Sequence, residues 1–107
     1  MSHKQEKVLQ LLKDLAGEFL VRESNRTSLI TVTGVVLTPD TKRAEILLSV
    51  LPKEKARAAV EFANRNRNEF REYIKKHSRM RILPFVHFSL DLGELNRQRI
   101  ETLLETE

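Results

Sequence analysis

The feature that most constrains this chain is a change of hydrophobic period at Leu29. From Leu29 to Thr38 the residues are largely β-branched: Ile30, Thr31, Val32, Thr33, Val35 and Val36. Branching at Cβ restricts χ1 and suits an extended backbone, so this segment reads as a strand. Thr38-Pro39-Asp40-Thr41 follows. Proline presets the backbone at the second position of a turn, which suits a reversal here. From Lys42 to Leu51 the period is two: Ala44, Ile46, Leu48 and Val50 share one face. Arg43, Glu45, Leu47 and Ser49 share the other, which is mostly polar. A turn this short makes the two strands an antiparallel hairpin.

The flanks have a helical period. Over residues 4–22, Val8, Leu11, Leu12, Leu15, Phe19 and Leu20 recur at steps of three and four. Lys4, Lys7, Lys13, Asp14 and Glu18 fill the opposite face. Gly17 weakens this helix by roughly 1 kcal/mol relative to alanine, or lets a neighbouring element approach closely. Glu23–Ser28 is polar and reads as a loop. Pro52 ends the hairpin, and a second helix starts near Lys53 with a small-residue face of Ala56, Ala59, Val60 and Ala63. Asn64-Arg65-Asn66-Arg67-Asn68 interrupts it, because asparagine is a poor helix former. Phe70, Tyr73, Ile74 and His77 restore the spacing as far as Ser78. Leu83–Leu90 reads as a third strand, with Val86, Phe88 and Leu90 facing one way. Asp91 and Glu94 suit a capping box, and Ile100, Leu103 and Leu104 give a closing helix a short apolar patch.

The order is α-β-β-α-α-β with a helical tail. An α+β fold follows, with a three-stranded sheet covered by helices on one face. At 107 residues the chain is one domain, 1–107, with 91–107 as an acidic C-terminal tail. No run of apolar residues reaches the length needed to cross a membrane, and the first residues lack the apolar stretch of a signal peptide. There is no cysteine, which excludes disulfides, thiolate metal sites and cysteine nucleophiles.

Catalysis finds little support. His3 lies at the terminus, His77 lies beside the apolar stripe, and His87 alternates with core positions and should face outward. No two of them have metal-ligand spacing. No nucleophile motif, phosphate-cradling glycine loop or dinucleotide fingerprint is present. No enzyme activity, cofactor, metal or small-molecule substrate is expected.

The charge is uneven. Residues 1–90 hold 17 Lys and Arg against 10 Asp and Glu, and residues 91–107 hold 2 against 5. The body is therefore suited to a polyanion and the end is acidic. The densest stretch is Asn64–Arg81, with Arg65, Arg67, Arg71, Lys75, Lys76, Arg79 and Arg81 against Glu69 and Glu72. Arg67, Arg71 and Lys75 follow four-residue steps and share one helical face, opposite Phe70, Tyr73 and Ile74. Arginine forks on a rigid helix match phosphate oxygens.

The chain resembles the ribosome-binding factor A family, a type II KH-like fold. The resemblance rests on the first hairpin, with Thr31-Val32-Thr33, Pro39-Asp40 and Ser49-Val50-Leu51. It continues through Phe70–Ile74, Arg79-Met80-Arg81 and Leu83–Phe88 to Arg99–Leu104. It implies a non-enzymatic, cytoplasmic assembly factor that binds the 30S ribosomal subunit and its 16S rRNA. That family acts in late maturation and rRNA processing and is associated with growth in the cold. The resemblance also implies a helix–kink–helix in place of the Gly-x-x-Gly loop of RNA-gripping KH domains. Here Asn66-Arg67-Asn68 stands at the family's Ala-x-Gly break, and Arg97 stands at its glycine before the last helix. Asn68 suits a left-handed kink, and the alternative is a helix that runs straight through.

The expected RNA-binding set is Arg65, Asn66, Arg67, Asn68, Arg71, Lys75, Lys76, Arg79 and Arg81, with Lys42 and Arg43 from the hairpin turn. The chain is expected to act as a monomer. Most of the five phenylalanines are expected in the core, which favours backbone recognition over base stacking. Two alternatives stay open: a KH-like module for another RNA or single-stranded DNA, and a protein-interaction module using the exposed sheet face or the tail.

Overall fold

The computed structural model describes residues 3–23 and 27–93. Helix α1 spans His3–Glu23, strand β1 Leu29–Leu37 and strand β2 Arg43–Leu51. A 3-10 turn at Lys53–Lys55 leads into α2, Ala56–Arg65, then α3, Arg67–His77, and β3, Phe85–Leu90. The expected tail helix, Arg97 and the Glu94 half of the capping box lie outside the described residues. The Asp91 half is present: its Oδ1 accepts the Gly93 amide at 2.9 Å.

β2 is the central strand. It pairs antiparallel with β1 and parallel with β3, from Arg43 opposite Phe85 to Leu48 opposite Leu90. The alternation read from β2 holds: Ala44, Ile46, Leu48 and Val50 are buried, and Arg43, Glu45 and Ser49 are exposed. β3 begins at Phe85 rather than Leu83. The buried Pro84 has no N–H to give the ladder, so pairing starts with the Phe85 amide on the Lys42 carbonyl at 2.8 Å.

β1 carries a bulge that its run of β-branched residues had hidden. Val32 pairs with Leu48 and Gly34 with Leu47, which leaves Thr33 as the extra residue. Ile30 and Val32 pack against the core before the bulge, and Val35 and Leu37 pack against it after. Val36 is thereby turned outward. The turn itself forms as expected, with the Thr41 amide donating to the Thr38 carbonyl at 2.8 Å.

The core lies between this sheet face and the helices. Leu12, Leu15, Ala16, Phe19 and Leu20 of α1 are buried, together with Ala59 and Ala63 of α2 and Phe70 and Ile74 of α3. Phe70 joins three elements, with its ring centroid 5.3 Å from Phe19 and 5.7 Å from Phe88. Burying such a side chain contributes about 1.5–3 kcal/mol. The small Ala63 lets α2 sit close to β3, which matters for the edge of the sheet described below. Gly17 does not mediate a close approach: a Cβ built there meets nothing within 4 Å.

Candidate nucleic-acid interface

The two asparagine-flanked helices meet at one residue. Asn66 separates α2 from α3 with φ −101° and ψ 14°. The helix therefore does not run straight through, and the break uses a sparsely populated negative-φ region rather than a left-handed residue. Asn68 lies inside α3 and is not the kink. Asn66 holds the break with its own side chain, whose Nδ2 donates to the Phe62 carbonyl at 2.8 Å. Its backbone amide donates to the same carbonyl at 3.2 Å and to Ala63 at 3.1 Å.

The start of α3 after Asn66 lies beside the start of β3. The result is an open groove of about 650 Å³. Arg67, Asn68 and Arg71 of α3 form one wall, and Phe85, Val86 and His87 of β3 form the other. Arg43 and Glu45 of β2, with Val36 and Thr38, close its far end. A second concavity, lined by Glu61, Asn64 and Arg65, shares Arg67 and Asn68 with the first. The surface is therefore continuous around the break.

The predicted residues divide between this groove and its surroundings. Arg43, Arg67, Asn68 and Arg71 line the groove, and Arg65 lines the neighbouring concavity. Lys42 is exposed on the hairpin side and Lys76 on α3. Lys75 is exposed and pairs with Glu72 at 3.1 Å, a solvated pair worth at most about 1 kcal/mol. Arg79 does not extend the helical line, because α3 ends at His77 and Ser78 turns extended. Arg79 and Arg81 are exposed in the segment that follows.

Sequence reasoning missed Phe85. Phe85 is 69% exposed, and the Arg71 guanidinium carbon lies 5.5 Å from its ring centroid. Such a cation–π contact is worth about 0.5–1 kcal/mol at an exposed site. The Arg71 Nε is shielded from solvent and has no hydrogen-bond partner. The signal was present: Phe85 and His87 alternate with the buried Val86 and Phe88, so both must face away from the core. Glu45 is the one acid in the groove, and its Oε1 accepts the Ser89 hydroxyl at 2.5 Å. Among the described residues, no group of His, Asp and Glu is placed to hold a metal, and no helix is long and apolar enough to cross a membrane.

The α-β-β-α-α-β order, the helix break and a basic groove beside the last strand define a small α+β protein of the type II KH-like class. Residues 4–104 match the family model described as ribosome-binding factor A. The chain belongs to that family. It is 32% identical to the ribosome-binding factor A of Geotalea daltonii over 98% of this chain and 88% of that protein. It is 27% identical to that of Coxiella burnetii, over 98% and 90%. The crystal structure of ribosome-binding factor A from Thermus thermophilus superposes with a TM-score of 0.70 at 21% identity, covering 79% of this chain and 93% of that one. The T. thermophilus homology model fitted into the cryo-EM map of a 30S–RbfA complex gives 0.68 at 21% identity, over 78% and 91%. These two likenesses are of fold.

Proposed function

We propose that this protein is a non-enzymatic assembly factor that binds the 30S ribosomal subunit and its 16S rRNA during late maturation and rRNA processing, as a cytoplasmic monomer. The observation that carries the reading is the convergence of Arg43, Arg67 and Arg71 on one groove. Two elements far apart in sequence, β2 and α3, bring their cations together there, and a solvated charge run would not need that. Family membership supplies the ribosomal context, and a relative of the same fold has been fitted into a 30S complex.

Phosphate contacts are the chemistry offered. Arginine binds phosphate oxygens in two-point fashion, and helices hold the forks in register. Lys42, Arg65, Lys75, Lys76, Arg79 and Arg81 surround the groove and extend the positive field. Each neutralised phosphate adds roughly 0.7–0.9 to the steepness of log affinity against log salt. The three groove arginines alone predict a slope of about −2 to −3, and the six cations from Arg67 to Arg81 predict about −4 to −5.

Sedimentation with immature small subunits tests the reading. The double variant Arg67→Glu with Arg71→Glu should leave the 30S peak and flatten the salt slope. Normal co-sedimentation of that variant would exclude the groove as the binding surface.

A further inference from the structure

The groove holds a feature that phosphate binding does not use, the outward ring of Phe85. A phenylalanine 69% open to water sits among three arginines. That setting is poor for an apolar protein partner, because docking one would strip water from the guanidinium groups. It suits a ligand with a flat apolar face and attached negative charge. We propose that the groove binds an unpaired RNA nucleotide, its base stacked on Phe85 and its flanking phosphates held by Arg67 and Arg43.

The geometry says which part of the ring is used. A base inserted between two planes needs about 3.5 Å on each side. Arg71 lies only 5.5 Å from the Phe85 centroid, so no base fits between the two, and the base stacks on the part of the ring that Arg71 leaves open. Arg71 is then a positioning residue that backs the ring and fixes its angle. A groove of about 650 Å³ has room for a nucleotide, since small-ligand sites run roughly 300–1,000 Å³. Bases in a duplex cannot offer a free face, so the site selects single strands. Every base has a π face, so the preference is tolerant of sequence.

The inference rests on the RNA-binding reading of the same groove, and the experiment separates the two. A fluorescent hexauridylate and a hairpin duplex RNA are titrated with the full chain at fixed salt. Phe85→Ala should weaken hexauridylate binding by about 5- to 100-fold, a clearly larger loss than on the duplex. Phe85→Trp should restore the affinity, and its fluorescence should be quenched on binding. Unchanged hexauridylate affinity in Phe85→Ala, or an equal loss on duplex, would overturn the stacking site. So would absence of hexauridylate binding by a chain that still co-sediments with small subunits, and that result would leave the ribosomal reading intact. Tight, Phe85-dependent hexauridylate binding without co-sedimentation would support the slot and sink the ribosomal reading alone.

Discussion

The side-chain amide of Asn64 pairs with the backbone of Phe88 at both ends: its Nδ2 donates to the Phe88 carbonyl at 2.9 Å and its Oδ1 accepts the Phe88 amide at 2.8 Å. β3 is an edge strand, and an unpaired edge is a template for other chains. Asn64 stands where the next strand would be. It also fixes the end of α2 to the sheet, one turn before the groove begins.

Removing that clamp should be costly. Asn64→Ala leaves a part-buried donor and acceptor unpaired, at roughly 1–3 kcal/mol for each such group. We expect a total loss of about 2–4 kcal/mol in urea denaturation and faster hydrogen exchange at the Phe88 amide. Asn64→Asp keeps the acceptor but sets a carboxylate against the Phe88 carbonyl, and should be no better at neutral pH. A change within about 0.5 kcal/mol for the alanine variant would show that water replaces the clamp.

Gly17 predicts the opposite sign. It lies within α1, and a Cβ there has open space. Gly17→Ala should stabilise the protein by about 0.5–1 kcal/mol through helix propensity and a less flexible unfolded chain. A lowered thermal midpoint would mean that a neighbour crowds the site.

Thr41 is the one described residue other than glycine with positive φ, at 61°. A β-branched side chain is strained there, and asparagine is less so. Thr41→Asn should raise stability by about 1 kcal/mol, measured by chemical denaturation. It should also leave RNA affinity unchanged, because Thr41 does not line the groove.

Asp40 makes the same turn sensitive to acid. The Thr38 hydroxyl donates to its Oδ1 at 2.6 Å and the Lys42 amide at 3.0 Å. These bonds, with the Thr38 hydroxyl the larger influence, hold the carboxyl below the usual aspartate value. Its folded pKa is thus below its unfolded one. The stabilisation is present above the unfolded value and is lost as pH falls through the folded one. The stability gap between wild type and Asp40→Asn should shrink on going from about pH 6 to about pH 3. A gap that widens on acidification would contradict the assignment.

Much of the fold was legible because period alone carries it. The α1 stripe, the alternation of β2 and the end of α3 at His77 follow from local spacing. What was not legible depends on distant partners. Asn64 reads as a helix breaker until the backbone of Phe88, far along the chain, comes into reach. The kink fell two positions short of Asn68, the residue suited to a left-handed turn, because the Asn66 side chain bonds back to Phe62 instead. In the site, Arg67 and Arg71 were readable as a helical face. Their meeting with Arg43 needed the parallel register of β2 and β3. Phe85 was hidden by an expectation about phenylalanine in general, although its parity on β3 points outward.

The bulge in β1 reaches beyond its own strand. Thr33, the residue left out of the pairing, has its hydroxyl 2.5 Å from Asp91 Oδ2, across the full width of the sheet. Asp91 in turn takes the Gly93 amide at 2.9 Å. The chain at Asp91–Gly93 is therefore tied to a residue of β1. A one-residue change of length in β1 would not only rephase Val35 and Leu37. It would also carry the Thr33 hydroxyl away from Asp91, so the length of β1 is matched to the end of β3.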